Sequence, residues 1–124
     1  MNNELKSLYD SLLYVLKNEM EVYEELHKLF INERALLVKS SIDELHENSS
    51  KKETCVLKAK MLEEVRTNLA EKIFKLLDID EKDVNLSGLL CYADGAQRQK
   101  LMECQLNLRY LLNEINKLNK KNKL

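Results

Sequence analysis

No proline occurs anywhere in this 124-residue sequence, and the first of its two glycines, Gly88, stands well past its middle. Nothing before that point locks φ or withdraws a backbone donor, so apolar periodicity in the first part of the chain can run as unbroken helix. The periodicity is there. Leu5, Leu8, Leu12, Leu16, Tyr23, Leu26, Phe30 and Leu37 are separated by small multiples of the helical repeat and predict a first helix from about Asn3 to about Val38. At 1.5 Å per residue such a helix spans roughly 54 Å, far more than the width of a compact domain of this length. The fold class expected is therefore all-α, and the shape elongated.

The stretch KSSIDEL writes the first break, because Ser40 or Ser41 can cap a new helix with Asp43 or Glu44 three residues later, the arrangement of a capping box. A second helix is expected over about 42–77. Its stripe passes through Ile42, Leu45, Cys55, Leu62, Val65, Leu69, Ile73 and Leu76, with a polar gap at HENSSKKE. So short a turn forces the two helices antiparallel. A turn centred near Ser40 sets Leu26 opposite about Cys55, Leu12 opposite about Leu69, and Leu5 opposite about Leu76.

The pattern loosens over 78–95, where a short helix from about Ser87 to Ala93 is expected. Asp94 then looks like the cap of a third long helix, about 96–124, with Leu101, Cys104, Leu108, Leu111, Ile115 and Leu118 on one face. One domain, 1–124, accounts for the whole: an antiparallel helical hairpin plus a third long helix, as a three-helix bundle or a coiled-coil-like rod. The start of the third helix is expected on the hairpin. Its end, LLNEINKLNKKNKL, carries the stripe almost to the last residue and is expected to overhang, so that something must lie against it.

Charge removes one class of partner. With 20 basic and 21 acidic side chains interleaved, the formal charge is -1, and no basic face of the kind that neutralises phosphates is present, so no nucleic acid is expected. The opening residues carry acids and amides in place of the basic region and apolar block of a secretory signal, and no stretch approaches the roughly 20 continuous apolar residues of a membrane span. The chain is expected to be cytoplasmic. Cys55, Cys91 and Cys104 form no CxxC pair and read as small apolar residues, buried or half-buried.

Catalytic and metal constellations fail one by one. Asp78, Asp80 and Asp83 resemble the opening of a calcium loop, but Lys82, Asp83 and Leu89 stand where an acid or amide, a glycine and a closing glutamate are required. His27 and His46 fall too far apart in the hairpin register to share a metal, and no serine or cysteine is placed for either to activate. Ser40, Ser41, Ser49 and Ser50 are explained by capping and polarity. The aromatics Tyr9, Tyr14, Tyr23 and Phe30 read as core. No cofactor is expected and no enzyme. Glu19 and Glu33 interrupt the first stripe, and Arg66 falls about one turn from Glu19 across the hairpin. The pair reads as a register-fixing ion pair, with a solvated Glu19 beside the stripe as the alternative.

Several of these residues together resemble a family. Glu19, Tyr23, Leu26 and Leu29 form E-x-x-x-Y-x-x-L-x-x-L; Ala35 to Val38 close the first helix; Leu62, Glu63 and Arg66 form L-E-x-x-R; Leu118, Asn119 and Asn122 form L-N-x-x-N. In this order, over nearly the whole chain, they resemble the FlgN family of flagellar export chaperones, whose members commonly continue past the last motif. The resemblance implies a chaperone that binds the C-terminal helical segments of hook-filament junction proteins, keeps them export-competent and delivers them to the flagellar export apparatus. The expected client contacts are Leu108, Leu111, Leu112, Ile115 and Leu118, with Asn116, Asn119 and Asn122 setting register through amide hydrogen bonds or serving solubility. The expected state is a monomer or weak homodimer. The rival is a self-associating structural coiled coil or adaptor, in which the last helix meets its own copy about a two-fold axis.

Overall fold

The computed structural model describes residues 3–79 and 86–123. Its elements are α1 (Asn3–Lys39), α2 (Ile42–Leu77), α3 (Leu86–Leu90) and α4 (Gly95–Asn122), and among the described residues every regular element is a helix. The fold is an all-α bundle with α1 in the middle: α2 packs along it, α4 packs along it, and α3 sits on α4. The 37 residues of α1 span roughly 55 Å, which sets the length of the molecule.

Polar contacts fix the directions. Gln97 bonds Asp10 and the Lys6 carbonyl near the start of α1, while Asn122 bonds Phe30 and Glu33 near its end, so α4 runs parallel to α1. Against these two, α2 runs antiparallel, with Asn48 meeting Asn32, Lys52 meeting Glu33 and Arg66 meeting Glu19. The core gathers in two places. The larger cluster joins Leu5, Tyr9, Leu12 and Leu16 to Ala70, Ile73, Phe74, Leu89, Leu101 and Leu108. The smaller joins Leu26, Leu29 and Phe30 to Cys55 and Ile115.

Both hairpin helices stop in the left-handed region without a glycine. Ser40 has φ 59° and Asp78 φ 55°; beyond them Ser41 N–H donates to the Leu36 carbonyl at 3.4 Å and Ile79 N–H to Phe74 at 3.0 Å, the six-to-one bond that satisfies a helix's last carbonyls. The capping box expected at KSSIDEL is not formed. Ser41 occupies the cap position but its hydroxyl makes no capping bond, and Glu44 pairs with Lys39 at 3.2 Å, because a two-residue turn brings that ammonium beside the first turn of α2. At the other end Asp94 does cap α4, its carboxylate accepting from Gln97 N–H at 3.2 Å.

Several stripe positions differ from the expectation. Leu37, Ile42, Val65 and Leu76 are exposed, while Leu36, Asn48, Ala59, Ala70 and Phe74 face inward. Large aliphatics dominate a hydropathy pattern, whereas α2 turns Ala59 and Ala70 inward, small side chains with a weak apolar signal. Leu5 accordingly shares its cluster with Ile73, Phe74 and Leu77 rather than with Leu76. The short helix ends at Leu90, three residues before the expected Ala93. Cys91 and Tyr92 donate to carbonyls three residues back, a tight turn that places Asp94 in the extended conformation of a cap.

Candidate functional site

The tail of α4 does not overhang. Starting beside Lys6 and Asp10 and running parallel to α1, its 28 residues reach only as far as Phe30 and Glu33, inside the longer helix. Leu108, Leu111 and Ile115 are buried there; Leu118, Asn119 and Asn122 are half-buried, and Leu112 and Asn116 exposed. Five of the nominated positions thus take part in a seat that α1 provides, or lie at its margin: Ile115 and Leu118 pack with Leu26, Leu29 and Phe30, Leu108 joins the larger cluster, Leu111 is buried, and Asn122 is hydrogen-bonded to α1.

A polar knot closes the seat. The Asn122 amide donates to the Phe30 carbonyl at 3.0 Å and to Glu33 Oε1 at 2.8 Å, and Arg34 donates to the Lys121 carbonyl at 3.1 Å. The other Glu33 oxygen pairs with Lys52 of α2, whose ammonium also lies 4.4 Å above the Phe30 ring. One carboxylate therefore ties α1 to both neighbours. The knot is incomplete, since Asn122 Oδ1 is buried without a hydrogen-bond donor.

Nearer the middle, Glu19 is 2 % exposed and its Oε1 lies 3.3 Å from Arg66 Nε. That oxygen has no properly aligned donor, so the attraction is Coulombic rather than a made hydrogen bond. Burial pushes the Glu19 carboxyl above the ordinary range, Arg66 pulls it back, and Glu63 adds a smaller upward push. Arg66 also reaches Glu63 at 3.7 Å. Glu19, Tyr23, Arg66, Leu108, Leu112 and Asn113 line an open groove of about 350 Å³ between α2 and α4. Its floor is α1.

A family model described as FlgN protein matches residues 1–124, the whole chain. The chain belongs to the FlgN family. With that membership comes the family's general role, a chaperone of flagellar export. No curated protein and no solved structure matches the chain. No described helix is long and apolar enough to cross a membrane.

In this FlgN-family fold several of the residues that carry the motifs also hold the helices together. Glu19 and Arg66 join α1 to α2, Tyr23, Leu26 and Leu29 belong to the smaller cluster or pack on it, and Asn122 fastens α4. Sequence reading missed Asn48. It lies buried within HENSSKKE, accepts from Asn32 at 2.8 Å and donates to the Leu29 carbonyl at 2.9 Å. A polar gap in an apolar stripe, at a height where the facing helix also offers an amide, was the available signal.

Two expectations of burial fail: Tyr14 is 68 % exposed and Cys91 is exposed, the first lining an open groove between α1 and α4 with Asp10, Lys17 and Lys100, the second sitting in the turn after α3. Cys55 and Cys104 are buried and half-buried, and burial pushes both thiols up. Among the described residues no three histidine, cysteine or acidic side chains are placed to hold a metal. The acids Asp80 and Asp83 lie outside the described residues; His27 is half-buried and His46 exposed.

Proposed function

We propose that this chain is a cytoplasmic chaperone for hook-filament junction proteins, binding a C-terminal helical segment of each client and presenting it to the flagellar type III export apparatus. The family match over the whole chain carries this reading. The geometry supports it through one feature: α4 is partnered along its length by α1, while its α2-facing edge, with Leu112 41 % exposed, borders an open groove. A client helix that enters beside α4 completes a bundle in the helix-in-groove manner. Leu108, Leu111, Leu112, Ile115 and Leu118 are its apolar contacts, and Asn116, Asn119 and Asn122 set register. Since three of these are buried on α1, full engagement requires the tail to lift.

Titration calorimetry with the C-terminal segment of a hook-filament junction protein, after sedimentation has fixed the chain's own oligomeric state, tests the proposal. Expected are a monomer or weakly associating dimer, saturable one-to-one binding and a negative heat-capacity change. A stable homodimer that takes up no segment would instead establish the self-associating coiled coil.

A further inference from the structure

The seat of the α4 tail is a site with its ligand already in place. Leu26 and Phe30 of α1 receive Ile115 and Leu118, and Glu33 and the Phe30 carbonyl receive the Asn122 amide. Beyond Leu108 this arm is held mainly by one neighbour, and its last amide leaves a buried oxygen unpaired. An arm so held exchanges more readily than a strand of closed core.

We infer that this face of α1 is itself a helix-accepting surface, and that the partner it takes presents what the tail presents. That partner is an amphipathic helix parallel to α1, with apolar side chains at the spacing of Leu111, Ile115 and Leu118 and an amide donor one turn further on. The inference rests on the chaperone reading for the partner's origin. The α4 tail is the stand-in that the partner displaces, and the partner inserts between α1 and α4. Glu33 is the selective element: turned inward and already paired with Lys52, it accepts an amide hydrogen without a further charge, whereas an acidic side chain brought to the same place meets it as a like charge.

The test uses the full chain and a fluorescent peptide of its own residues 107–124. Asn122→Asp sets a carboxylate against Glu33 at the last turn of α4, where the rest of the fold does not depend on it. Apparent affinity scales with the open fraction, so the variant should bind the peptide at least roughly tenfold more tightly than the wild type does. Leu118→Ala should act in the same direction by removing an apolar contact instead of adding charge. The C-terminal segment of a hook-filament junction protein should then displace the peptide. Equal peptide binding by all three proteins overturns the inference. So does a segment that binds without displacing the peptide, which leaves the chaperone reading standing. A peptide that binds the variants while the segment binds none of the proteins keeps the surface and removes the client reading.

Discussion

Asn48 and Glu19 are both polar, both buried, and opposite in consequence. Asn48 uses its donor on the Leu29 carbonyl and its acceptor on Asn32, so it replaces in the protein what it gave up in water. Removing it strands partners, and Asn48→Ala is expected to lower stability by about 2 kcal/mol, the scale of a buried hydrogen-bonded group, as read by urea denaturation. Glu19 is not so replaced. Burial raises its carboxyl above the ordinary value of 4.5 more than Arg66 lowers it, so between the unfolded and the folded value the native state holds more protons and stability falls as pH rises. The contribution is complete below the unfolded value and is lost as the pH passes the raised one. Glu19→Gln should abolish that falling limb and leave the thermal midpoint at pH 7 at or above the wild type's, because Arg66 keeps Glu63 and is itself partly exposed. A variant with the wild-type pH profile would show that another group titrates.

Helix ends follow a similar logic at the scale of elements. Ser40 sits at φ 59°, where an L residue is strained by about 1–2 kcal/mol and glycine is not, although glycine's extra freedom in the unfolded chain returns about 0.5–1 kcal/mol. Ser40→Gly should therefore stabilise by roughly 0.5 kcal/mol, a rise of a few degrees in thermal midpoint, whereas Ser40→Ala should not; equal midpoints for the two would mean the hydroxyl, not the backbone, decides. That the helices exist was legible, since a proline-free chain with long apolar stripes has few other ways to bury them, and Asp94 marked a start. What sits against what was less so. The face of α1 is wider than its stripe, burying Val15, Glu19, Leu29 and Leu36 as well, enough for two neighbours. The pattern in LLNEINKLNKKNKL announced a partner but not its identity: only the start of the third helix was expected on the hairpin, and α1 seats its tail as well. Ala59, Ala70 and Asn48 were invisible for a different reason: inward-facing small and amide side chains do not stand out in hydropathy.

The whole molecule is uneven along its axis. At the end where α1 begins, three long helices and α3 share one cluster, with Tyr9, Leu12, Leu16, Ile73, Phe74 and Leu101 fully buried and the Tyr9 hydroxyl donating to the Leu89 carbonyl at 2.9 Å. Burial pushes that hydroxyl up to about 12, so it remains a donor throughout the ordinary pH range. At the turn end the smaller cluster joins Leu26, Leu29, Phe30, Cys55 and Ile115, with Val22, Tyr23 and Leu118 packed against it and the Lys52–Glu33–Asn122 knot above them. Local opening energies track buried contact, so amide exchange should be slowest around Tyr9–Leu16 and Ala70–Phe74. It should be fastest from Ile115 onward, well before the molecule unfolds as a unit. Asn122→Ala removes two hydrogen bonds at the loose end and should speed exchange there by roughly tenfold, the factor that about 1.4 kcal/mol of lost bonding provides, while the protected end keeps its rates. Exchange that slowed or quickened uniformly along α4 would mean that the bundle opens only as a whole, and a tail that cannot open separately cannot admit a client helix at the α1 face.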